Sequence, residues 1–138
     1  MKEHQLEITV PFHDIDIMDV AWHGHYIKYF EIARLGLMSK VGLDWPELRK
    51  AGYALPIVGL EVKYRRPLKY GEVYIVKAQL EECEHAELVL RYEVLGQKSL
   101  KTHAHGRTRQ AYTNAKDASI CLSVPDFILV QMRSHGWL

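Results

Sequence analysis

The sequence predicts an α+β fold from three observations. One long stretch carries apolar residues at three- and four-residue spacing, the period of a helix with one buried face. A single alternating segment stands before it. After it come several alternating segments divided by turns rich in Gly and Pro, the pattern of half-buried strands. A long helix followed by an antiparallel meander gives a sheet that wraps one face of the helix, so the helix is expected along the sheet's concave face.

Residues 5–12 read as a strand, because Leu6, Ile8 and Val10 alternate with Glu7 and Thr9 before Pro11 ends the regular part. Residues 12–23 form a loop. From 24 to 41 the period changes to that of a helix. Tyr26, Tyr29, Phe30, Ala33 and Leu37 share one face, Lys28, Glu31, Arg34 and Lys40 take the other, and Gly42 stops it. Asp44 is placed as the N-cap of a short second helix that tolerates Pro46 in its first turn and closes at 51–53. Strands are expected at 56–64, 73–80, 87–95 and 99–112. Breakers at 65–72 and Gly96-Gln97 turn the chain between them. Residues 114–119 are loop, and 124–133, behind Pro125-Asp126, form a terminal helix. With no internal repeat or linker, residues 1–138 are expected to be one domain.

Composition removes several classes of function. Eighteen Lys and Arg stand against 17 Asp and Glu, with no basic block, so nucleic acid is not an expected partner. No apolar run approaches the ~20 residues that span a bilayer. The first five residues are charged and polar with no apolar region behind them, so neither a signal peptide nor membrane insertion is expected. Cys83 and Cys121 fit no metal or redox spacing and read as reduced thiols of a cytoplasmic protein.

The chemistry is concentrated in residues 13–26. His13, Asp14, Asp16, Asp19, His23 and His25 crowd the loop ahead of the long helix, whose first turn presents free N–H groups and a positive dipole end. A carboxylate there can act as base or nucleophile, or it can hydrogen-bond loop amides. Asp14, Asp16, Asp19, His23 and His25 also have the donor types of a transition-metal site. That arrangement requires residues 23–25 to be extended, where the helix is expected to begin.

Two motifs extend the reading. The first runs Phe12, Asp14-Ile15-Asp16, Val20-Ala21-Trp22-His23, Gly24-His25-Tyr26, then Tyr29-Phe30-Glu31-Ile32-Ala33-Arg34. The second is the stretch Val62-Lys63-Tyr64-Arg65-Arg66-Pro67-Leu68-Lys69-Tyr70-Gly71-Glu72. In this order they resemble the hotdog-fold acyl-CoA thioesterases, specifically the 4-hydroxybenzoyl-CoA thioesterase-like family, over about residues 5–130. Two positions depart from it: Asp19 stands where the family usually has Gly, and His25 where it usually has Asn.

The resemblance implies a hotdog fold, an antiparallel sheet wrapped around one long central helix. It also implies hydrolysis of an acyl-CoA to a free acid and coenzyme A, without metal or other cofactor. Asp16 aligns with the family's catalytic carboxylate, as base or nucleophile. The His23 backbone N–H aligns with the position that polarises the thioester carbonyl, and its side chain could add a donor. The family sets each active site between two subunits, so a homodimer or homotetramer is expected. Trp22, Tyr26, Tyr53 and Tyr64 are candidate walls for the acyl group. Arg65 and Arg66 are the foremost candidates for the phosphates of coenzyme A, with Lys69, Lys98, Lys101, Arg107 and Arg109 behind them. A non-catalytic acyl or acyl-CoA-binding module and a metal-binding hydrolase remain as alternatives, because fold alone does not fix chemistry.

Overall fold

The structure, a computed structural model, describes residues 2–82 and 85–138. Strand β1 (Glu3–Thr9) leads through a 3₁₀ turn (Phe12–Asp14) to helix α1 (His25–Lys40) and helix α2 (Trp45–Ala51). Then follow β2 (Tyr53–Ala54), β3 (Ile57–Tyr64), β4 (Val73–Glu82), β5 (Glu87–Gly96), β6 (Thr102–Ala111), β7 (Thr113–Asn114) and helix α3 (Asp126–Ser134). Cys83 lies outside the described residues, and Cys121 is a free thiol.

Five antiparallel strands form the main sheet in the order β1-β4-β5-β6-β3. The α+β expectation holds, with one correction to the path. Only β4, β5 and β6 make a meander; β3 crosses over to pair with β6 and becomes one edge of the sheet, with β1 as the other. A second sheet of two short strands, β2 and β7, escaped sequence reading. Two residues are too few for any alternation to register.

Helix α1 lies across the sheet. It packs on β1 and β4, and Phe30 stacks on Tyr92 of β5 with ring centroids 4.7 Å apart. On β6 the helix approaches so closely that a Cβ at Gly106 would sit 2.4 Å from the Phe30 ring and 2.6 Å from the Glu61 carbonyl oxygen. The expected helix face is the buried one: Tyr26, Tyr29, Phe30, Ala33 and Leu37 join Val76, Leu88, Leu90, Tyr92 and Val94 in one core. Helix α3 adds Ile128 and Met132 to it. No helix among the described residues is long and apolar enough to cross a membrane.

Two local expectations need correcting. Strand β1 ends at Thr9, earlier than its alternation suggests, because Val10 O accepts from the Gly71 N–H (3.0 Å) instead of from its in-register partner Glu72, and the chain enters the 3₁₀ turn behind Pro11. Asp44 precedes α2 as predicted but its side chain does not cap it, and its Oδ1 is buried without a partner among the described residues.

Candidate active site

The loop between β1 and α1 is a small latched hairpin. Ile15 and Ala21 form an antiparallel bridge. The Asp16 N–H donates to Val20 O and the Trp22 N–H to Asp14 O, both at 2.9 Å. Asp19 turns the chain at φ +64°, a left-handed conformation that Asp tolerates better than most side chains. That backbone explains why a glycine suits this position. The Ala21 N–H donates to Leu68 O (2.9 Å), which fastens the hairpin to the β3–β4 connection.

Asp14 fastens it to the helix. Its carboxylate is 1% exposed and accepts from Lys28 Nζ on both oxygens at 2.7 Å and from the Tyr29 hydroxyl at 2.6 Å. Burial pushes this carboxyl up, but the hydrogen bonds from Lys28 and Tyr29, with the charges of Lys28 and His25, outweigh it and hold it below its ordinary range. Burial and the Asp14 charge together push the Tyr29 phenol up, so it stays a donor. Because the folded-state value is depressed, the Asp14 contribution to stability is complete above the unfolded value of about 3.9 and is lost as pH falls through the folded one. Thermal melts from pH 7 to 2 should therefore show an acid limb that flattens in Asp14→Asn, which is less stable than wild type at pH 7.

Asp16 is half-buried. Its Oδ1 accepts the Met18 N–H at 2.8 Å, while Oδ2 has no partner among the described residues. One oxygen thus holds the turn. The side chain lines a cleft of about 310 Å³ with His23, Tyr26, Tyr64, Arg65 and Arg66. Trp22, the remaining predicted site residue, lies outside this lining. Its indole sits over Gly24, where a Cβ would come within 2.2 Å of the ring. Tyr53 is elsewhere too, stacked on Phe127 of α3.

The cleft receives the start of α1. Gly24 caps the helix without a side-chain hydrogen bond, and the first turn contains no acidic residue. Among the described residues, none accepts a hydrogen bond from the His23 or Gly24 N–H. The Tyr64 hydroxyl donates to His23 O at 2.7 Å and thereby fixes that peptide plane. Burial pushes the Tyr64 and Tyr26 phenols up, so both keep their protons. Losing this one hydrogen bond in Tyr64→Phe should cost about 1 kcal/mol, roughly a fivefold fall in kcat with KM little changed. Steady-state kinetics would read this directly.

The imidazoles of His23 and His25 pack against the Trp22 indole at 5.0 and 5.4 Å between centroids. With Asp14 engaged by Lys28 and Tyr29, no three His, Cys, Asp or Glu side chains are gathered for a metal ion among the described residues. Arg65 and Arg66 stand on the cleft's exposed rim. Arg65 Nε approaches His105 Nε2 at 3.3 Å, and Arg66 Nη1 donates to Thr102 O at 2.6 Å. Sequence reading missed the anchoring role of Lys28. A lysine on the polar face of a helix gives no sign of reaching a carboxylate 14 residues earlier.

The Asp16 carboxylate and the start of α1 thus share one open cleft. The chain belongs to the thioesterase-like superfamily, whose sequence profile matches residues 10–132. It is 30% identical over 94 residues to a provisionally named esterase of Synechocystis, covering 68% of this chain and 57% of that one, so it spans little more than half of that relative. It is 25% identical to a provisionally named acyl-CoA thioesterase of Bacillus subtilis, covering 96% of this chain and 89% of that one. Among solved structures it resembles the DHNA-CoA thioesterase of Staphylococcus aureus with a TM-score of 0.83 and 26% identity, covering 99% of this chain and 94% of the other.

Proposed function

We propose that the protein hydrolyses acyl-CoA thioesters to a free carboxylic acid and coenzyme A, with residues 1–138 acting as one domain. The carrying observation is that Asp16 and His23 line one cleft at the head of α1, where the His23 and Gly24 N–H groups have no acceptor among the described residues. The relatives named above support the same chemistry. Asp16 bonds to the thioester carbon itself or draws the proton from a water that does. The N–H groups at the head of α1 stabilise the resulting oxyanion. As the tetrahedral centre collapses, the C–S bond breaks and the thiolate leaves, to be protonated to coenzyme A; after direct attack by Asp16, water then hydrolyses the acyl-Asp16 anhydride to the free acid and restores the carboxylate. These groups suffice without a metal, and a cytoplasmic location accompanies this reading.

A second copy of the chain belongs to the proposal, as a homodimer or a homotetramer. Strand β3 is a free sheet edge next to the cleft, and Ile57, Val58, Leu60 and Tyr64 on it are each more than 40% exposed. An unpaired edge bearing large apolar residues is a template for association. Thiol release from a panel of short, long and aromatic acyl-CoAs, with and without a chelator, tests the reading. Chelator-resistant turnover of at least one member is expected. Saturable binding without release from any of them would turn the reading toward an acyl-binding module.

A further inference from the structure

A second cavity, of about 590 Å³, adjoins the catalytic cleft and shares Arg66 and Pro67 with it. It lies where the β3–β4 connection meets the β5–β6 turn, and Lys69, Tyr74, Lys98, Ser99 and His103 line it. We propose that this cavity holds the phosphate-bearing nucleotide end of a coenzyme A thioester whose carbonyl lies at Asp16. The assignment rests on the thioesterase reading and adds the residues that select the carrier.

Geometry sorts the cations that sequence could only collect. Arg107 and Arg109 are engaged by Glu81 and Glu87 at 2.8 and 2.9 Å. Arg65 is turned toward His105. By contrast, the ammonium groups of Lys69 and Lys98 meet no carboxylate among the described residues, and both side chains are exposed. Arg66 spends one Nη1–H on Thr102 O and keeps further donors. The lining therefore sets three cations, Arg66, Lys69 and Lys98, against the single carboxylate of Glu72.

Polar groups complete the cavity. His103 Nδ1 lies 3.1 Å from Pro67 O, which can only accept, so Nδ1 carries the proton and Nε2 is left to the cavity wall. Its ring packs edge-on against Tyr74 at 5.0 Å, which fixes its orientation. A concave site with clustered cations focuses its field on an anion, and guanidinium and ammonium groups are the usual phosphate ligands. Phosphate could arrive on free coenzyme A or on the phosphopantetheine arm of a carrier protein. A cavity of small-molecule dimensions favours free coenzyme A.

The test compares one acyl group on coenzyme A with the same group on N-acetylcysteamine, which has no phosphate. The proteins are the wild type and the double variant Lys69→Glu/Lys98→Glu. We expect KM for the acyl-CoA to rise at least tenfold in the variant, with kcat within twofold and kcat/KM for the phosphate-free ester unchanged. Added salt should raise the wild-type KM for the acyl-CoA alone. An unchanged KM for acyl-CoA, an equal loss on both esters, or a loss confined to the carrier-protein thioester would overturn the assignment. Calorimetry with adenosine 3′,5′-bisphosphate judges the cavity separately from turnover. Binding that weakens at least tenfold in the variant supports it even if no thioester is cleaved, and absence of binding to wild type overturns it even if thioesters are.

Discussion

Asp16→Asn is expected to lower kcat for an acyl-CoA by about two to four orders of magnitude, the usual reach of a positioned base, with KM within a few-fold of wild type. The fold should survive. The side chain is half-buried on a surface hairpin, and the amide oxygen of Asn can still accept the Met18 N–H that Oδ1 holds at 2.8 Å. What the variant loses is the charge on Oδ2, the oxygen without a described partner. A near-uniform melting curve with collapsed turnover would therefore locate the effect in chemistry. Activity within tenfold of wild type would remove Asp16 from the mechanism. A single turnover in ¹⁸O-water then separates its two roles. Label entering the Asp16 peptide marks direct attack, and label confined to the released acid with no acyl-Asp16 anhydride trapped by hydroxylamine marks a base.

The second large effect is on stability. Gly106→Ala should cost about 3 kcal/mol, the upper part of the range for overpacking a filled core. The added Cβ meets the Phe30 ring on one side and the Glu61 backbone carbonyl on the other, at 2.4 and 2.6 Å. Phe30 is 1% exposed and stacked on Tyr92, and Glu61 belongs to the neighbouring strand, so neither can withdraw cheaply. At roughly 3 °C per kcal/mol for a chain of this size, Tm should fall by about 10 °C in scanning calorimetry. Trimming the ring in Gly106→Ala/Phe30→Leu should recover part of the loss, because only the backbone contact then remains. A Tm within about 2 °C of wild type would mean that α1 does not lie this close to β6.

Much of this architecture is legible in the sequence because it rests on local periodicity. The buried face of α1 follows from the spacing of Tyr26, Tyr29, Phe30, Ala33 and Leu37, β4 and β5 follow from alternation, and β6 from a longer polar segment that carries the small residues Ala104 and Gly106. The place of β3 beside β6 does not, since strand order is a non-local choice that leaves alternation unchanged. The candidate site divides in the same way. Asp16 and His23 are marked by their position ahead of a helix, and Tyr64, Arg65 and Arg66 join them because the end of β3 returns to the head of α1. That Asp14 is bound by Lys28 and Tyr29 depends on how the hairpin folds back, and no pattern in either segment announces it. Among the surface cations, sequence reading puts Arg65 and Arg66 first and leaves the others unsorted. Only the presence of Glu81 and Glu87 beside Arg107 and Arg109 sets these apart from Lys69 and Lys98.

The bare head of α1 has a consequence for how such a protein can change. A Ser or Asp at Gly24 would ordinarily strengthen a helix by roughly a few tenths of a kcal/mol, and random substitution should find it readily. Here the Trp22 indole occupies the space into which any side chain at that position must grow. Any residue larger than glycine at position 24 must therefore first displace this exposed indole. Drift toward a better-capped helix is thereby tied to position 22, and the two residues are expected to change together.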